Sequence, residues 1–176
     1  MDNIDYSIVI PVYYNQGELI PLMRSLTTLV FQANPGRAGE LIFVDDGSGD
    51  GSIVELRQIQ SEFSALVTII KLTRNFGAVH ASKTGLQFVT GDCFLILAAD
   101  LQDPPELILE MIKRWQTGAK FVLCARAHRN DPLLSKFFSS IYYRLVRLFV
   151  VKDYPKGGFD LALMDRAFLP HLSQQF

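Results

Sequence analysis

The stretch LILAADLQDPPE, residues 95–106, has the pattern of a chain that leaves a β-sheet and enters a helix. Its apolar run stops at Asp100, and the first of the two following prolines fits the first helical position, where its missing N–H costs nothing. Asp103 and Glu106 then have the N-cap and N3 spacing of a capping box, so helix initiation explains them. Asp100 and Gln102 have no such explanation and become candidates for a ligand site.

The same alternation of apolar runs and helical segments extends on both sides of this stretch. Strands are predicted over 7–12, 40–46, 66–72, 93–99 and 120–126, with a further strand in 156–165, and helices over 17–31, 52–63, 78–89 and 104–116. Such alternation is typical of βαβ units that form a mainly parallel sheet flanked by helices. We therefore predict a single α/β domain over residues 1–176.

Composition excludes several classes of protein. With 176 residues, 49% of them hydrophobic, the chain can bury a sizeable core, and a formal net charge of −1 gives no reason to expect a nucleic-acid partner. Cys93 and Cys124 lie in strand-like runs and are expected to be buried, reduced thiols of a reducing compartment. The sequence has no signal-peptide pattern and no apolar run near the length of about 18 residues that spans a membrane. We expect a cytoplasmic protein.

Polar residues follow each of the first five predicted strands. The five segments are PVYYN (11–15), DDGS (45–48), RNFG (74–77), ADLQ (99–102) and ARAHR (125–129). Because ligands of parallel sheets bind outside the carboxyl ends of the strands, five such ends together indicate a binding site. Arg126 and Arg129 are candidates to neutralise a phosphate, and Arg74 is either a phosphate contact or a surface charge.

The segment VDDGSGDGS, residues 44–52, resembles two known ligand loops and fits neither. The dinucleotide-binding spacing fails at its last glycine, and the twelfth position of an EF-hand loop carries arginine instead of glutamate. We interpret Asp45 and Asp46 as ligands of a base or ribose, since a carboxylate can accept an N–H from a uracil or guanine edge. Turn and N-cap chemistry explains Asp50 and Ser52.

Asp100 and Gln102 have the spacing of a partial metal site. In an extended segment these two side chains project to the same side. A carboxylate and an amide oxygen can share one Mg²⁺ or Mn²⁺, whose other positions go to diphosphate oxygens and water. A second carboxylate would be expected at position 98, which is Ala98.

The segment 133–152, LLSKFFSSIYYRLVRLFVVK, mixes aromatic and basic residues on a predicted helix. It is either a helix that packs on the core or an interfacial helix that meets lipid and its anionic headgroups. Both interpretations remain open.

The motifs IPVYYN, VDDGS, RNFG, ADLQDPPE and GGFD, in this order, resemble the family-2 glycosyltransferases of the GT-A fold. More narrowly, they resemble the branch that is similar to dolichyl-phosphate-mannose synthase and acts on polyprenyl phosphates. The resemblance covers about residues 6–170. It implies transfer of a sugar, with inversion, from a nucleotide-sugar to a polyprenyl phosphate in cell-envelope glycan synthesis, at the inner face of the cytoplasmic membrane. By the same analogy we expect a UDP-sugar.

The resemblance also assigns roles to residues. It implies that the nucleoside is held by Pro11, Val12, Tyr13, Asp45 and Asp46, with Arg74 as a further candidate on the nucleotide. Asp100 and Gln102 would hold Mg²⁺ or Mn²⁺ and the diphosphate, and Arg126 would face the phosphates; Asp100 and Arg126 are thus the catalytic candidates. The sugar and acceptor side would be formed by Gly157, Gly158, Phe159 and Arg129.

The sequence departs from the family pattern in two respects. The family often reads D-A-D-L-Q, and Ala98 replaces the first aspartate. Relatives usually carry further membrane-associated helices, so we expect this chain to be truncated before them. These departures keep a nucleotide-sugar-binding module without catalysis as an alternative, and an α/β oxidoreductase as a second one.

Overall fold

In a computed structural model of the protein, residues 4–100, 102–125 and 159–173 are described. Their contacts divide the chain into two units, the first formed by Met1–Val122 with Leu163–Phe176, the second by Leu123–Ala162. The first unit contains every helix of the described residues and most of the described strand residues. Of the second unit, only 123–125 and 159–162 are described, and both segments are extended.

The elements alternate along the chain as the sequence predicts. The strands are β1 (Tyr6–Val12), β2 (Gly39–Asp45), β3 (Val67–Lys71), β4 (Cys93–Ile96), β5 (Phe121–Ala125) and β6 (Phe159–Asp165). The helices are α1 (Leu19–Leu26), continued by a π-helix (Thr27–Phe31), α2 (Ser52–Glu62), α3 (Ala78–Leu86), α4 (Glu106–Gln116), a 3₁₀ turn (Arg166–Phe168) and α5 (Leu169–Ser173).

The strands form one six-stranded sheet in the order β3-β2-β1-β4-β6-β5. β1 pairs in parallel with β2 and β4, and β2 pairs in parallel with β3. β6 is antiparallel to β4, where Cys93 pairs with Asp165. The mainly parallel α/β sheet is therefore confirmed. The strand order reverses beside β1, because β2 and β3 lie on one side of it and β4 on the other, and such a switch point is where open α/β sheets bind ligands.

Both faces of the central strands are buried. Ile8, Val9 and Ile10 on β1 are all fully buried, which explains why its sequence is a continuous apolar run instead of an alternating one. Helix α1 buries an apolar stripe at helical spacing, formed by Leu19, Leu22, Met23 and Leu26. Full burial of one such leucine contributes about 1.5–3 kcal/mol.

The segment between β4 and α4 differs from its prediction. β4 ends at Ile96, and Asp100 lies in a turn instead of an extended strand. The predicted capping box is wrong, because α4 begins at Glu106 with Pro105 at the N-cap, two residues after Asp103. Proline disfavours helical backbone in the residue before it, so each of the two prolines delays the start of the helix.

Two further expectations concern the cysteines and the membrane. Neither Cys93 nor Cys124 is in a disulfide; Cys93 is buried as expected, whereas Cys124 is only partly buried. Burial raises the pKa of the Cys93 thiol to about 12, and nearby carboxylates add to the shift, so this thiol stays protonated. Within 4–100, 102–125 and 159–173, no helix is both long and apolar enough for a membrane span. The segment 133–152 lies outside those ranges.

Candidate functional site

Three loops of the first unit meet at the carboxyl edge of the parallel strands. The loop after β1 is tied to the segment after β2 by backbone donors: Tyr14 N–H donates to Ser48 Oγ (3.1 Å) and Asn15 N–H to Ser52 Oγ (3.0 Å). The loop after β2 packs on the loop after β3, because a Cβ added at Gly47 would lie 2.6 Å from the carbonyl carbon of Arg74. The structure thus brings the ends of β1, β2 and β3 together, as predicted.

Asp45 is the last residue of β2 and is fully buried. Its Oδ1 accepts from the N–H of Ser48 (3.0 Å), while Oδ2 has no hydrogen-bond partner among the described residues. A buried carboxylate oxygen without a donor costs free energy, because burial has removed its water. An N–H or O–H donor supplied by a ligand would remove that cost. This agrees with the expectation that Asp45 accepts a hydrogen bond from a base or ribose.

Asp46 has a role that the sequence did not reveal. It is 2% exposed, and its two oxygens accept from the N–H groups of Phe76 and Gly77, each at 2.8 Å. Its own N–H donates to the carbonyl of Val12 (2.8 Å). Through these hydrogen bonds, Asp46 holds the loop that precedes α3 against the end of β1. Its expected contact with a nucleoside stays a prediction.

Arg74 is exposed in the loop after β3, and its guanidinium carbon lies 4.6 Å above the centre of the Phe76 ring. This cation–π contact holds the side chain against the loop that Asp46 fixes. Arg74 thereby presents a positive charge at the same edge as Asp45. Phe76 was not predicted as part of the site, although it stands in the RNFG segment after the third predicted strand.

The three residues predicted at the end of β1 differ in accessibility. Val12 is fully buried and Pro11 is partly buried, whereas the Tyr13 side chain is 47% exposed. Tyr13 and Tyr14 form an edge-to-face pair with ring centroids 4.7 Å apart, and Tyr14 has a positive φ of 58°. Of the three predicted residues, Tyr13 is thus the one whose side chain faces solvent and can pack on a planar ligand.

Asp100 and Gln102 follow β4 and are both exposed. The turn replaces the extended geometry from which their common direction was predicted; instead, the Gln102 N–H donates to Asp100 Oδ1 (3.3 Å), which keeps the two residues adjacent. Ala98 is exposed and offers no ligand. In the described part of the chain, no group of three or more His, Cys, Asp or Glu residues could hold a metal ion.

The donors present nevertheless fit a metal that the substrate helps to hold. A carboxylate and an amide oxygen are hard ligands, as Mg²⁺ and Mn²⁺ prefer. Mg²⁺ commonly takes one or two protein carboxylates and completes its shell with phosphate oxygens and water. Asp100 and Gln102 fit that arrangement and do not fit a metal cage made by the protein alone.

Asp50 has the turn role that was predicted for it. Its carboxylate accepts from the N–H groups of Gln16 (3.2 Å) and Ser52 (3.1 Å). Desolvation would raise the pKa of Asp50, but the hydrogen bonds from Ser52 and Gln16 outweigh it and lower that pKa below its ordinary value. The N-cap of α2 is Gly51 and not Ser52, whose hydroxyl instead accepts from the loop after β1.

The predicted acceptor side falls mostly outside the described residues. Arg126, Arg129, Gly157 and Gly158 lie there, as does 133–152. Phe159 is the first residue of β6, and its side chain also lies outside what is described. Their roles therefore stay predictions.

Comparison with protein families matches residues 7–169 to "Glycosyl transferase family 2". The chain is 38% identical over 165 residues to the uncharacterized glycosyltransferase YkcC of Bacillus subtilis (strain 168), covering 93% of this chain and 50% of that protein. It is 34% identical over 166 residues to the undecaprenyl-phosphate 4-deoxy-4-formamido-L-arabinose transferase of Klebsiella pneumoniae (strain 342), covering 94% of this chain and 49% of that one. The chain thus spans about half the length of these relatives.

A solved structure shows the same fold. The mannosyltransferase PcManGT from Pyrobaculum calidifontis, in complex with GDP-Man and Mn²⁺, superimposes with a TM-score of 0.67 at 21% sequence identity. The alignment covers 95% of this chain and 46% of the mannosyltransferase. With the sheet described above, this likeness confirms the expected GT-A fold.

Proposed function

The chain belongs to glycosyl transferase family 2, and from this premise we propose that it transfers a sugar from a nucleotide-sugar to a polyprenyl phosphate. The donor we propose is a UDP-sugar, and the transfer inverts the anomeric carbon. The proposed donor is supported by Asp45 at the end of β2. This residue is buried, and its Oδ2 has no hydrogen-bond partner within the described ranges. That oxygen accepts the N–H of a uracil edge in our proposal.

The diphosphate of the donor binds at the same edge. Arg74, held on Phe76, supplies positive charge, and Asp100 with Gln102 would hold Mg²⁺ or Mn²⁺. When bound, the metal would neutralise the negative charge that develops on the leaving diphosphate. Arg126 is proposed to act on the same charge, and Asp100 and Arg126 are therefore the proposed catalytic residues.

The acceptor half of the proposal rests on a relative. The Klebsiella pneumoniae protein, 34% identical to this chain, is named as a transferase that acts on undecaprenyl phosphate. A phosphate acceptor is already ionised at neutral pH, so its oxygen attacks the anomeric carbon without a strong general base. One carbon–oxygen bond forms to the lipid phosphate while the bond to the nucleoside diphosphate breaks.

The proposed setting is the inner face of the cytoplasmic membrane. A lipid acceptor requires the site to reach a membrane surface, and the aromatic and basic residues of 133–152 suit an interfacial helix. In this proposal Gly157, Gly158, Phe159 and Arg129 form the sugar and acceptor side, and the chain acts as one catalytic domain.

A transfer assay tests the proposal. The purified protein is incubated with Mn²⁺, undecaprenyl phosphate in detergent and a panel of radiolabelled UDP- and GDP-sugars. We expect label to enter the organic phase from a UDP-sugar, and chelation of the metal by EDTA to abolish the transfer. Metal-dependent nucleotide binding without any transfer would contradict catalysis and favour the binding-module alternative. Binding of a nicotinamide cofactor, with no binding of nucleoside diphosphates, would favour the oxidoreductase and refute the proposal.

A further inference from the structure

Tyr14 has an unusual backbone conformation in the loop after β1. Its φ of 58° is the one positive φ of a non-glycine residue within the described ranges. A bulky side chain rarely occurs in this region, and a residue that adopts it is held there by its surroundings. The N–H of Tyr14 donates to Ser48 Oγ (3.1 Å), and the N–H of Asn15 donates to Ser52 Oγ (3.0 Å). The segment after β2 therefore holds Tyr14 in this conformation.

The side chain of Tyr14 lies against the same segment, at Gly49. A Cβ added at Gly49 would lie 2.6 Å from the hydroxyl oxygen of Tyr14 and 3.4 Å from its ring atom Cζ. The first distance is far inside van der Waals contact, whereas the second is close to an ordinary contact. Gly49 does not have a positive φ, so its backbone would accept alanine. What requires glycine at this position is therefore the space that the Tyr14 hydroxyl occupies.

The Tyr14 ring supports the ring of Tyr13. The two rings are 4.7 Å apart between centroids, with an interplanar angle of 77°, and Tyr13 is 47% exposed. Within the described residues, this pair is the one ring contact of Tyr13. Edge-to-face pairs are directional, because the ring edge is positive and the ring face is negative. A displacement of the Tyr14 ring would therefore also displace or loosen the Tyr13 ring.

Tyr13 lies beside the buried carboxylate that is proposed to accept the base. Val12, the residue before it, pairs with Asp45 in the register of β1 and β2. The carbonyl of Val12 also accepts from the N–H of Asp46 (2.8 Å), which fixes the start of this loop. An aromatic ring packs on the face of a planar base, while Asp45 Oδ2 can accept a hydrogen bond only from the edge of that base. Tyr13 and Asp45 therefore offer contacts for different sides of the same group.

We propose that Tyr14 is a positioning residue of the donor site, which orients the Tyr13 ring for packing on the base of the nucleotide. This role rests on the proposed function, because it requires the base to bind beside Asp45. Tyr14 acts through Tyr13 and touches no reacting atom. Its own position depends on the hydrogen bond to Ser48 and on the space left at Gly49, so Gly49 contributes to base recognition without contacting the base.

Calorimetric titration of UDP in the presence of Mn²⁺ tests this role in wild type, Gly49→Ala, Tyr14→Phe and the variant that combines both substitutions. Gly49→Ala is expected to weaken UDP binding about three- to tenfold, because the added Cβ displaces the Tyr14 hydroxyl and the ring moves with it. Tyr14→Phe keeps the ring and should bind UDP within about twofold of wild type. The combined variant should regain that affinity, because without the hydroxyl the nearest ring atom is 3.4 Å from the added Cβ.

Three controls separate positioning of Tyr13 from a general change in the site. Inorganic pyrophosphate, which has no base, should bind all of these proteins equally in the presence of Mn²⁺. In a Tyr13→Leu background, Gly49→Ala should cause no further loss of UDP affinity. Tyr14→Leu removes the ring and leaves the segment after β2 unchanged, so it should weaken UDP binding by about the same factor as Gly49→Ala. Circular dichroism verifies that each variant is folded, and Tyr14→Leu provides the test if Gly49→Ala is not.

Three results would overturn the role of Tyr14. Unchanged UDP affinity in Gly49→Ala or in Tyr14→Leu would show that the Tyr14 ring is not needed. A combined variant as weak as Gly49→Ala would show that the loss does not come from the hydroxyl. An equal loss of affinity for pyrophosphate would show that the base is not involved. In each case wild type still binds UDP, so the proposed donor would stand; absence of UDP binding by wild type would refute the donor and the role of Tyr14 together.

Discussion

Replacement of Asp46 by asparagine tests how the donor edge is built. Both carboxylate oxygens of this residue accept backbone N–H groups at 2.8 Å, and the residue is 2% exposed. Asparagine keeps one acceptor oxygen and turns an NH₂ group toward the other N–H. One charge-assisted hydrogen bond, worth about 1.5–3 kcal/mol, is lost. If the NH₂ group faces Gly77, the N–H of that residue keeps its second acceptor, Asn75 Oδ1 (2.8 Å). We expect the free energy of unfolding to fall by about 1.5–3 kcal/mol.

Urea unfolding followed by circular dichroism measures this change, and Asp50→Asn is the matched control. Asp50 also accepts two backbone N–H groups, but at 3.1 and 3.2 Å and in a partly exposed position. Water can replace part of what that variant loses, so we expect a cost of about 1 kcal/mol. If Asp46→Asn were no more destabilising than Asp50→Asn, the loop before α3 would not depend on the buried carboxylate, and the reasoning would be refuted.

Three further predictions concern stability, each measured by urea or thermal unfolding. Gly47→Ala should lower the free energy of unfolding more than Gly36→Ala does. Both glycines have a positive φ, where a side chain costs about 1–2 kcal/mol, but only at Gly47 would the added Cβ also meet backbone, 2.6 Å from the carbonyl carbon of Arg74. Equal losses of stability in the two variants would contradict this. Hydrogen bonds, of which the one from Lys120 has the largest effect, lower the pKa of Asp165. The contribution of Asp165 to the stability of the fold is therefore complete above its unfolded pKa of about 3.9, and it is lost as the pH falls through the folded pKa. Asp165→Asn should therefore flatten the loss of stability below about pH 4, and an unchanged pH profile would argue against it. Tyr6→Phe should leave stability within about 0.5 kcal/mol or raise it, because the buried hydroxyl has no partner among the described residues, and a loss above about 1 kcal/mol would show a missed hydrogen bond.

The sequence was sufficient to predict elements whose signal is local. The apolar runs of β1 and β2 were recognised because strands buried on both faces are continuously hydrophobic, and the polar strand ends identified the edge that carries Asp45 and Asp100. The start of α4 was predicted too early because the capping-box spacing was weighed without the effect of each proline on the residue before it.

Features that depend on tertiary contacts could not be predicted. The antiparallel pairing of β6 with β4 joins strands about seventy residues apart, and no local pattern encodes the direction of that pairing. The role of Asp46 depends on Phe76 and Gly77, thirty residues away, which come within reach only when β2 and β3 pair. Asp100 was assigned an extended geometry because the apolar run continues beyond Ile96, where strand pairing ends.

Calorimetric titration of UDP with and without Mn²⁺ tests the central claim most directly, with wild type, Asp100→Asn and Asp103→Asn compared. Asp103→Asn is the matched control, because this substitution removes the same charge three residues further along the same segment. The account predicts that UDP binds wild type more tightly when Mn²⁺ is present, that Asp100→Asn weakens this binding at least about tenfold, and that Asp103→Asn changes it less than about twofold. Affinity for UDP that is the same with and without Mn²⁺, or the same in Asp100→Asn as in wild type, would contradict it.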